Sequence, residues 1–357
     1  MSSRVLMKGN EVIAEAAVRA GCRHYFGYPI TPQTEVMHYM AKRMPEVGGT
    51  MLQAESEVAA INMVYGAAAA GARVMTTSSS PGISLKQEGF SYIAGAELPA
   101  VVVNVVRSGP GLGGILPAQG DYFQATKGGG HGDYRNIVLA PASIQELYEL
   151  TVEAFNLADR YRMLALILGD GALGQMMEPV AFRETEPIEQ VEKPWALTGR
   201  KGRAEHNTIQ SIYIEADVME VFNAKLQAKY ADVTRRETRV ETVDCDDAEV
   251  VLTAFGLTSR ICRNVMHQAA KEGIKVGLVR PITLWPFPSQ TYADIAAQSS
   301  VKAILDIELN CGQMVEDVRL AVNGVKPVHF HGRTGGNLPT VQEILELVRQ
   351  LAGRSAT

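Results

Sequence analysis

The chain has 357 residues, room for two or three domains, and its 46% hydrophobic, 20% charged composition is that of an ordinary soluble protein. A formal net charge of −5 gives no footing for nucleic acid or another polyanion as partner. The four cysteines (Cys22, Cys245, Cys262, Cys311) include no Cys-x-x-Cys pair, which argues against an iron–sulfur cluster or zinc site on this chain and suits a reducing cytoplasm.

The N-terminus places charges inside its apolar pattern, unlike a signal peptide, and the apolar runs are too short to span a bilayer. A cytoplasmic protein without membrane contact is the expectation. Strand-length runs rich in Val, Ile and Leu occur at 73–77, 99–106, 137–140 and 163–168. They lack clean alternation, as strands buried on both faces do. Helix candidates at 9–21, 32–44, 56–71, 86–96 and 143–160 lie between them. This alternation predicts a parallel sheet covered by helices. The helix at 58–72 is apolar nearly all round, which suits a large core or a subunit interface.

From 181 to 246 the composition turns charged and polar, with one surface helix expected within 207–232. A connecting segment is the expectation, and a disordered linker is the alternative. A second α/β pattern follows, with strands at 249–255, 275–279, 301–307 and 327–331 and helices at 258–272, 312–323 and 340–352. The expected division is therefore 1–180, 181–246 and 247–357.

Several motifs could carry chemistry. In GYPITPQTE (27–35), Thr31 and Pro32 suit the cap and first position of a helix, where a hydroxyl could also meet an anion. In QAESEVAAINMVYG, Glu55 and Glu57 stand at the start of the apolar helix. The helix dipole explains an acid there, but no charged residue follows Glu57 until Arg73, so its carboxylate is also a candidate for proton exchange. Arg107 ends an apolar strand, where it could hold a carboxylate bidentately or make a surface salt bridge. The glycines at 109, 111 and 114 formally match a dinucleotide fingerprint, but Pro110 and Pro117 leave room only for a short helix. His131, in a glycine loop, could touch a substrate or have no role, and His329 and His331 have no third ligand nearby for a metal.

LILGDGALGQM (166–176) ends a strand in Gly-Asp-Gly, as the metal–diphosphate motif of thiamine diphosphate enzymes does. That motif needs a downstream Asn to complete the magnesium site. The first Asn after Gly171 is Asn207, too distant and alone. Asp170 is therefore expected to be structural or at an interface, with no metal site on this chain.

YPITP, ESEVAAINMVYGAAAAGA, TTSSSPGISLKQEGFSYIAGAELP, GDYFQATKGGGHGDYR, VRPITLWPFP and GRTGGNLPT together resemble the α subunit of 2-oxoacid:ferredoxin (acceptor) oxidoreductases, over nearly the whole chain. The resemblance implies a pyrimidine-binding α/β domain of the thiamine-enzyme type, then a smaller α/β domain like the transketolase C-terminal domain. It implies oxidative decarboxylation of a 2-oxoacid with coenzyme A, giving acyl-CoA and carbon dioxide. Thiamine diphosphate and magnesium would be held mainly by a partner β subunit. Electrons would pass to iron–sulfur clusters on partner subunits, with γ and ferredoxin-like δ subunits expected, and on to ferredoxin or another acceptor. Glu57 matches the glutamate that hydrogen-bonds the aminopyrimidine ring. Thr31 and Arg107 match residues that hold the 2-oxoacid, and Ser80, Pro81 and Gly82 would line the pyrimidine pocket. The sequence around SPGISLKQEG and GPGLGG looks most like the branched-chain (3-methyl-2-oxobutanoate) class, with 2-oxoglutarate as runner-up and an aryl-glyoxylate as a further option. Two rivals stay open: a transketolase-like or E1-like subunit without iron–sulfur partners, and a non-catalytic assembly subunit.

Overall fold

A computed structural model describes residues 4–354. In chain order the first half contains β1 (Arg4–Lys8), α1 (Gly9–Arg19), β2 (His24–Gly27), α2 (Thr34–Glu46), β3 (Thr50–Gln53), α3 (Glu57–Ala69), β4 (Val74–Ser78) and α4 (Pro81–Gly95). Next come β5 (Ala100–Val106), α5 (Tyr122–Thr126), β6 (Ile137–Leu139), α6 (Ile144–Tyr161), β7 (Leu164–Asp170), α7 (Gly171–Gln175) and β8 (Met177–Ala181). The remainder contains α8 (Ala216–Glu237), β9 (Val240–Val243), β10 (Val250–Thr253), α9 (Leu257–Lys271), β11 (Val276–Pro281), β12 (Thr283–Trp285), α10 (Ser289–Ala297), β13 (Ala303–Glu308), α11 (Met314–Val322), β14 (Val328–Gly332) and α12 (Val341–Ala352).

Two large sheets result, in the orders β12-β6-β7-β5-β4-β2-β3 and β14-β13-β10-β11-β9. Both are parallel except for an antiparallel strand at one edge of each, β12 and β9. β1 and β8 form a separate antiparallel pair. β5 shows why the central strands are continuously apolar. Val102 and Val106 enter the core on one face, and Val101, Val103 and Val105 enter the core on the other. The first of these cores also takes Val251, Phe255, Ile304 and Met314, so one face of each sheet shares a single apolar layer.

Several elements differ from the sequence expectations. α4 starts at Pro81, five residues before the expected 86, because Pro81 fits the first helical position and the turn is held by packing on α3. α8 is displaced toward the C-terminus relative to 207–232. Residues 207–215 run along the surface, where Ser211 abuts Gly95 and Tyr213 stacks on Phe222. The helix then buries Leu226, Tyr230 and Val233, one stripe at helical spacing. The charged stretch 181–246 thus holds a long helix and a strand of the second sheet. Conversely, β12 leaves the second half of the chain to pair with β6 of the first sheet.

Gln119 fastens the two sheets together. Its N–H donates to the Leu309 carbonyl and its Oε1 accepts the Leu309 N–H, each at 3.0 Å. Its Nε2 donates to the Phe255 carbonyl at 2.9 Å, and its own carbonyl accepts from Asn310 Nδ2 at 2.9 Å. No helix among the described residues is long and apolar enough to cross a membrane.

Candidate active site

Glu57 is the first residue of α3, after Ser56, whose hydroxyl accepts the Ala59 N–H at 3.1 Å. This cap fixes the start of the helix, and the helix dipole favours an acid in its first turn. Glu57 is 7% exposed, whereas Glu55 faces solvent. Burial thus separates the two carboxylates.

Glu57 and Ile61 lie one turn apart on α3 and face Gly82 and Gly89 on α4. A Cβ on Gly82 would stand 2.7 Å from Glu57 Oε1 and would collide with Ser78 Oγ. A Cβ on Gly89 would stand 2.5 Å from Ile61 Cγ1. Two glycines on one helix face therefore let α3 approach closely, and they seat the carboxylate against bare backbone.

Beside this seat, β4 runs into Ser79 and Ser80. The hydroxyls of Ser78 and Ser79 are buried and have no hydrogen-bond partner, as does Gln33 Nε2. Gln33 joins the same end of β4, because its Oε1 accepts from the Thr77 hydroxyl, which is bonded in turn to Tyr25. Each unpaired buried group costs about 1–3 kcal/mol, which a ligand bonding them would offset.

Ser80 caps α4 in a left-handed backbone conformation (φ 24°) that is uncommon for a residue with a side chain. It is held from several sides. Its N–H donates to Asn104 Oδ1 at 3.0 Å. Its hydroxyl accepts the Arg107 N–H and donates to the Arg107 carbonyl, each at 3.1 Å. Asn104 is itself held by Asp121, whose carboxyl is raised above the usual range by burial.

Arg107 is 7% exposed. Its Nη1 donates to the Thr31 carbonyl and its Nη2 to the Leu112 carbonyl, each at 2.9 Å, and its Nε is buried without a partner. The surface salt bridge open from sequence is not what forms. Among the described residues no carboxylate pairs with this guanidinium. A buried cation bonded only to neutral carbonyls has capacity left for an anionic group. Thr31 itself is exposed and is not a helix cap: α2 starts at Thr34 with Gln33 at the cap position, because the Ile30 carbonyl accepts the Gln33 N–H in a turn.

The structure thus joins Glu57, Gly82, Pro81, Ser80, Arg107 and Thr31 in one contiguous surface. His131 lies elsewhere, edge-on to Tyr92 near the far end of α4. Among the described residues no cluster of metal-ligating side chains occurs.

Asp170 is buried, and its oxygens are occupied. Oδ1 accepts the Ala172 and Leu173 N–H groups at 3.0 Å, and Oδ2 accepts the Leu257 N–H at 3.4 Å. Burial raises its carboxyl above the usual range despite these amides. The Gly-Asp-Gly turn therefore caps α7 and touches the second sheet's first helix, and its donor set does not suit a metal–diphosphate group. Gly171 packs on Pro32 of the YPITP loop, 3.3 Å from where its Cβ would be, so the turn buttresses the site from behind.

Sequence reasoning passed over Lys86. It is fully buried one turn after Gly82, and its Nζ donates to Thr76 Oγ1 at 3.0 Å. Burial lowers its ammonium group to about 8, against the opposing influence of the Glu57 charge. Its neighbours Ser84, Gln87 and Glu88 are polar, so nothing in the local sequence marked it as buried.

Residues 15–244 match the family described as pyruvate flavodoxin/ferredoxin oxidoreductase, thiamine diphosphate-binding, and residues 248–344 match pyruvate:ferredoxin oxidoreductase core domain II. The chain is 51% identical to the ketoisovalerate oxidoreductase subunit VorB of Methanothermobacter thermautotrophicus, over 98% of this chain and 99% of that one. It is 38% identical to the 2-oxoglutarate synthase subunit KorA of Archaeoglobus fulgidus, over 96% of this chain and 98% of that one. Its fold matches a chain of 2-oxoglutarate:ferredoxin oxidoreductase from Magnetococcus marinus with a TM-score of 0.88 and 28% identity, covering 98% of this chain and 66% of that longer chain. A split-gene transketolase shares the fold at a TM-score of 0.59 and 12% identity. The chain belongs to the 2-oxoacid:ferredoxin oxidoreductases, as an α-type subunit carrying the family's thiamine diphosphate-binding domain.

Proposed function

We propose that this subunit serves a complex that oxidatively decarboxylates a branched-chain 2-oxoacid, 3-methyl-2-oxobutanoate first among them, with coenzyme A as acyl acceptor. When bound, thiamine diphosphate supplies the electron sink that lets a 2-oxoacid lose carbon dioxide. Glu57 would hydrogen-bond the aminopyrimidine ring and hold its proton balance. Ser80, Pro81 and Gly82 would line the ring's pocket beside the buried Ser78 and Ser79 hydroxyls. Arg107 would take the substrate carboxylate and Thr31 would contact the substrate next to it.

The observation that carries this reading is the buried Arg107 guanidinium without a counter-ion, set on the same loop framework as the Glu57 seat. The oxygens of Asp170 are spent on amides, which supports placing magnesium and the diphosphate on a partner β subunit. Free, scattered cysteines support placing the iron–sulfur clusters on partner subunits, with γ and δ chains and ferredoxin beyond them. In this reading residues 1–180 form the pyrimidine-binding part and 247–357 the transketolase C-terminal-like part.

Substrate choice has two supports. Identity to the ketoisovalerate subunit is 51%, against 38% to a 2-oxoglutarate subunit. The loop from 108 to 120, bonded to Arg107 through Leu112, contains Leu112, Ile115 and Leu116 and no Lys, Arg or His. A second carboxylate, as on 2-oxoglutarate, would lack a cation there, whereas an isopropyl group would not need one.

The test is co-purification of the complex and assay against a panel of 2-oxoacids with coenzyme A and a low-potential acceptor. The highest kcat/KM should fall to 3-methyl-2-oxobutanoate. A preference for 2-oxoglutarate would overturn the substrate assignment.

A further inference from the structure

We propose that Lys86 is a positioning residue, the buried counter-charge that holds the Glu57 carboxylate toward the ligand. The inference rests on the role given to Glu57 above.

Three observations place it. Lys86 has no exposed surface, yet its one hydrogen bond goes to a neutral hydroxyl, Thr76 Oγ1 on β4. An ammonium group with three donors is costly to bury on such terms unless an opposite charge stands near. That charge is Glu57 on α3, and it is the titratable group whose charge acts on Lys86. The geometry explains how the two meet. Gly82 and Lys86 lie one turn apart on α4, so the face that makes room for the carboxylate also delivers the cation beside it.

The arrangement has a functional consequence. A buried cation one turn along α4 from Gly82 holds the carboxylate in its seat against that glycine. The charge of Glu57 in turn favours the ammonium form of Lys86.

A double-mutant cycle in the full chain tests it without recourse to catalysis. Thermal stability is measured for the parent, Glu57→Gln, Lys86→Gln and the double variant, at pH 7 and at pH 10. Lys86→Gln keeps a donor for Thr76 and removes only the charge, and Lys86→Met serves as a second variant should that one fold poorly. The two changes should be non-additive at pH 7, with the double variant melting above the value expected from the singles. They should become additive at pH 10, where the lysine is neutral. Additivity at both pH values, or the same non-additivity at both, overturns the counter-charge.

A second measurement ties the pair to the reaction. In the purified complex Lys86→Gln should lower kcat at least tenfold, and kcat of the parent should decline as pH passes through about 8, a limb absent from the variant. Parental kcat and an unchanged limb in Lys86→Gln would overturn the positioning role. Should the complex prove to run a different reaction, the stability cycle would still decide whether Lys86 and Glu57 are coupled.

Discussion

Gly82 and Glu57 are fitted to each other: a single methyl group on Gly82 would lie 2.7 Å from the glutamate's Oε1. The glycine is helical and carries no unusual backbone angle, so alanine would be accepted by the helix itself. The conflict falls on the carboxylate and on Ser78.

Gly82→Ala should therefore displace Glu57 while leaving the fold intact. Misplacement of a reacting group by about 1 Å can cost on the order of 100-fold in rate. Turnover of the assembled complex should fall by about that factor, with circular dichroism and melting temperature near those of the parent. Parental turnover would show that the contact does not govern the carboxylate.

Arg107→Lys should behave almost as badly as Arg107→Ala. The guanidinium spans the Thr31 and Leu112 carbonyls with two separate nitrogens and still presents Nε. A lysine ammonium cannot reproduce that fork. Loss of a charged hydrogen bond, about 1.5–3 kcal/mol, corresponds to a 10- to 100-fold fall in kcat/KM for the 2-oxoacid. Steady-state kinetics at saturating coenzyme A would read it directly.

Lys86 makes stability depend on alkaline pH. Its folded-state value of about 8 lies below the ordinary 10.5. Between these values the unfolded chain binds more protons, so stability from this group rises with pH. The penalty is fully present below pH 8 and is relieved as pH climbs toward 10.5, by on the order of 3 kcal/mol. The difference in unfolding free energy between the parent and Lys86→Met should therefore change across this window and stay flat below it. Parallel curves from pH 6 to 10 would contradict the burial of a titrating lysine.

Asp170→Ala should destabilise the fold without touching the metal. The side chain caps α7 and accepts the Leu257 N–H from the second sheet's side. Loss of a cap costs about 0.5–2 kcal/mol, and the stranded buried amide adds to it. A lower melting temperature with unchanged magnesium dependence of cofactor binding is the expected result. Loss of magnesium dependence would return Asp170 to the metal site.

Much of this site was legible in the sequence, for identifiable reasons. Glu57 stood out because no charge follows it in α3, and Arg107 because it ends a strand buried on both faces. The missing Asn after Gly171 made Asp170 an expected structural residue, and its oxygens accept backbone amides. Other parts were hidden. Lys86 looks like any surface lysine until α4 is seen packed on α3 and β4, which buries that position. Gln119 is one polar residue in a glycine-rich loop, and only the second sheet gives its amide partners. β12 could not be assigned to the first sheet from local pattern, since its partner β6 lies more than a hundred residues away. The cap on α2 moved from Thr31 to Gln33 because a turn at Ile30 comes before the helix, which local propensity does not encode.

In the proposed function Glu57 governs the proton chemistry of the bound cofactor. Hydrogen–deuterium exchange at C2 of thiamine diphosphate, measured by NMR in the assembled complex, tests it most directly. Glu57→Gln keeps the shape of the seat against Gly82 and removes the charge. Exchange should be nearly abolished in that variant while the cofactor stays bound. Exchange at the parental rate would contradict the account and remove Glu57 from the mechanism.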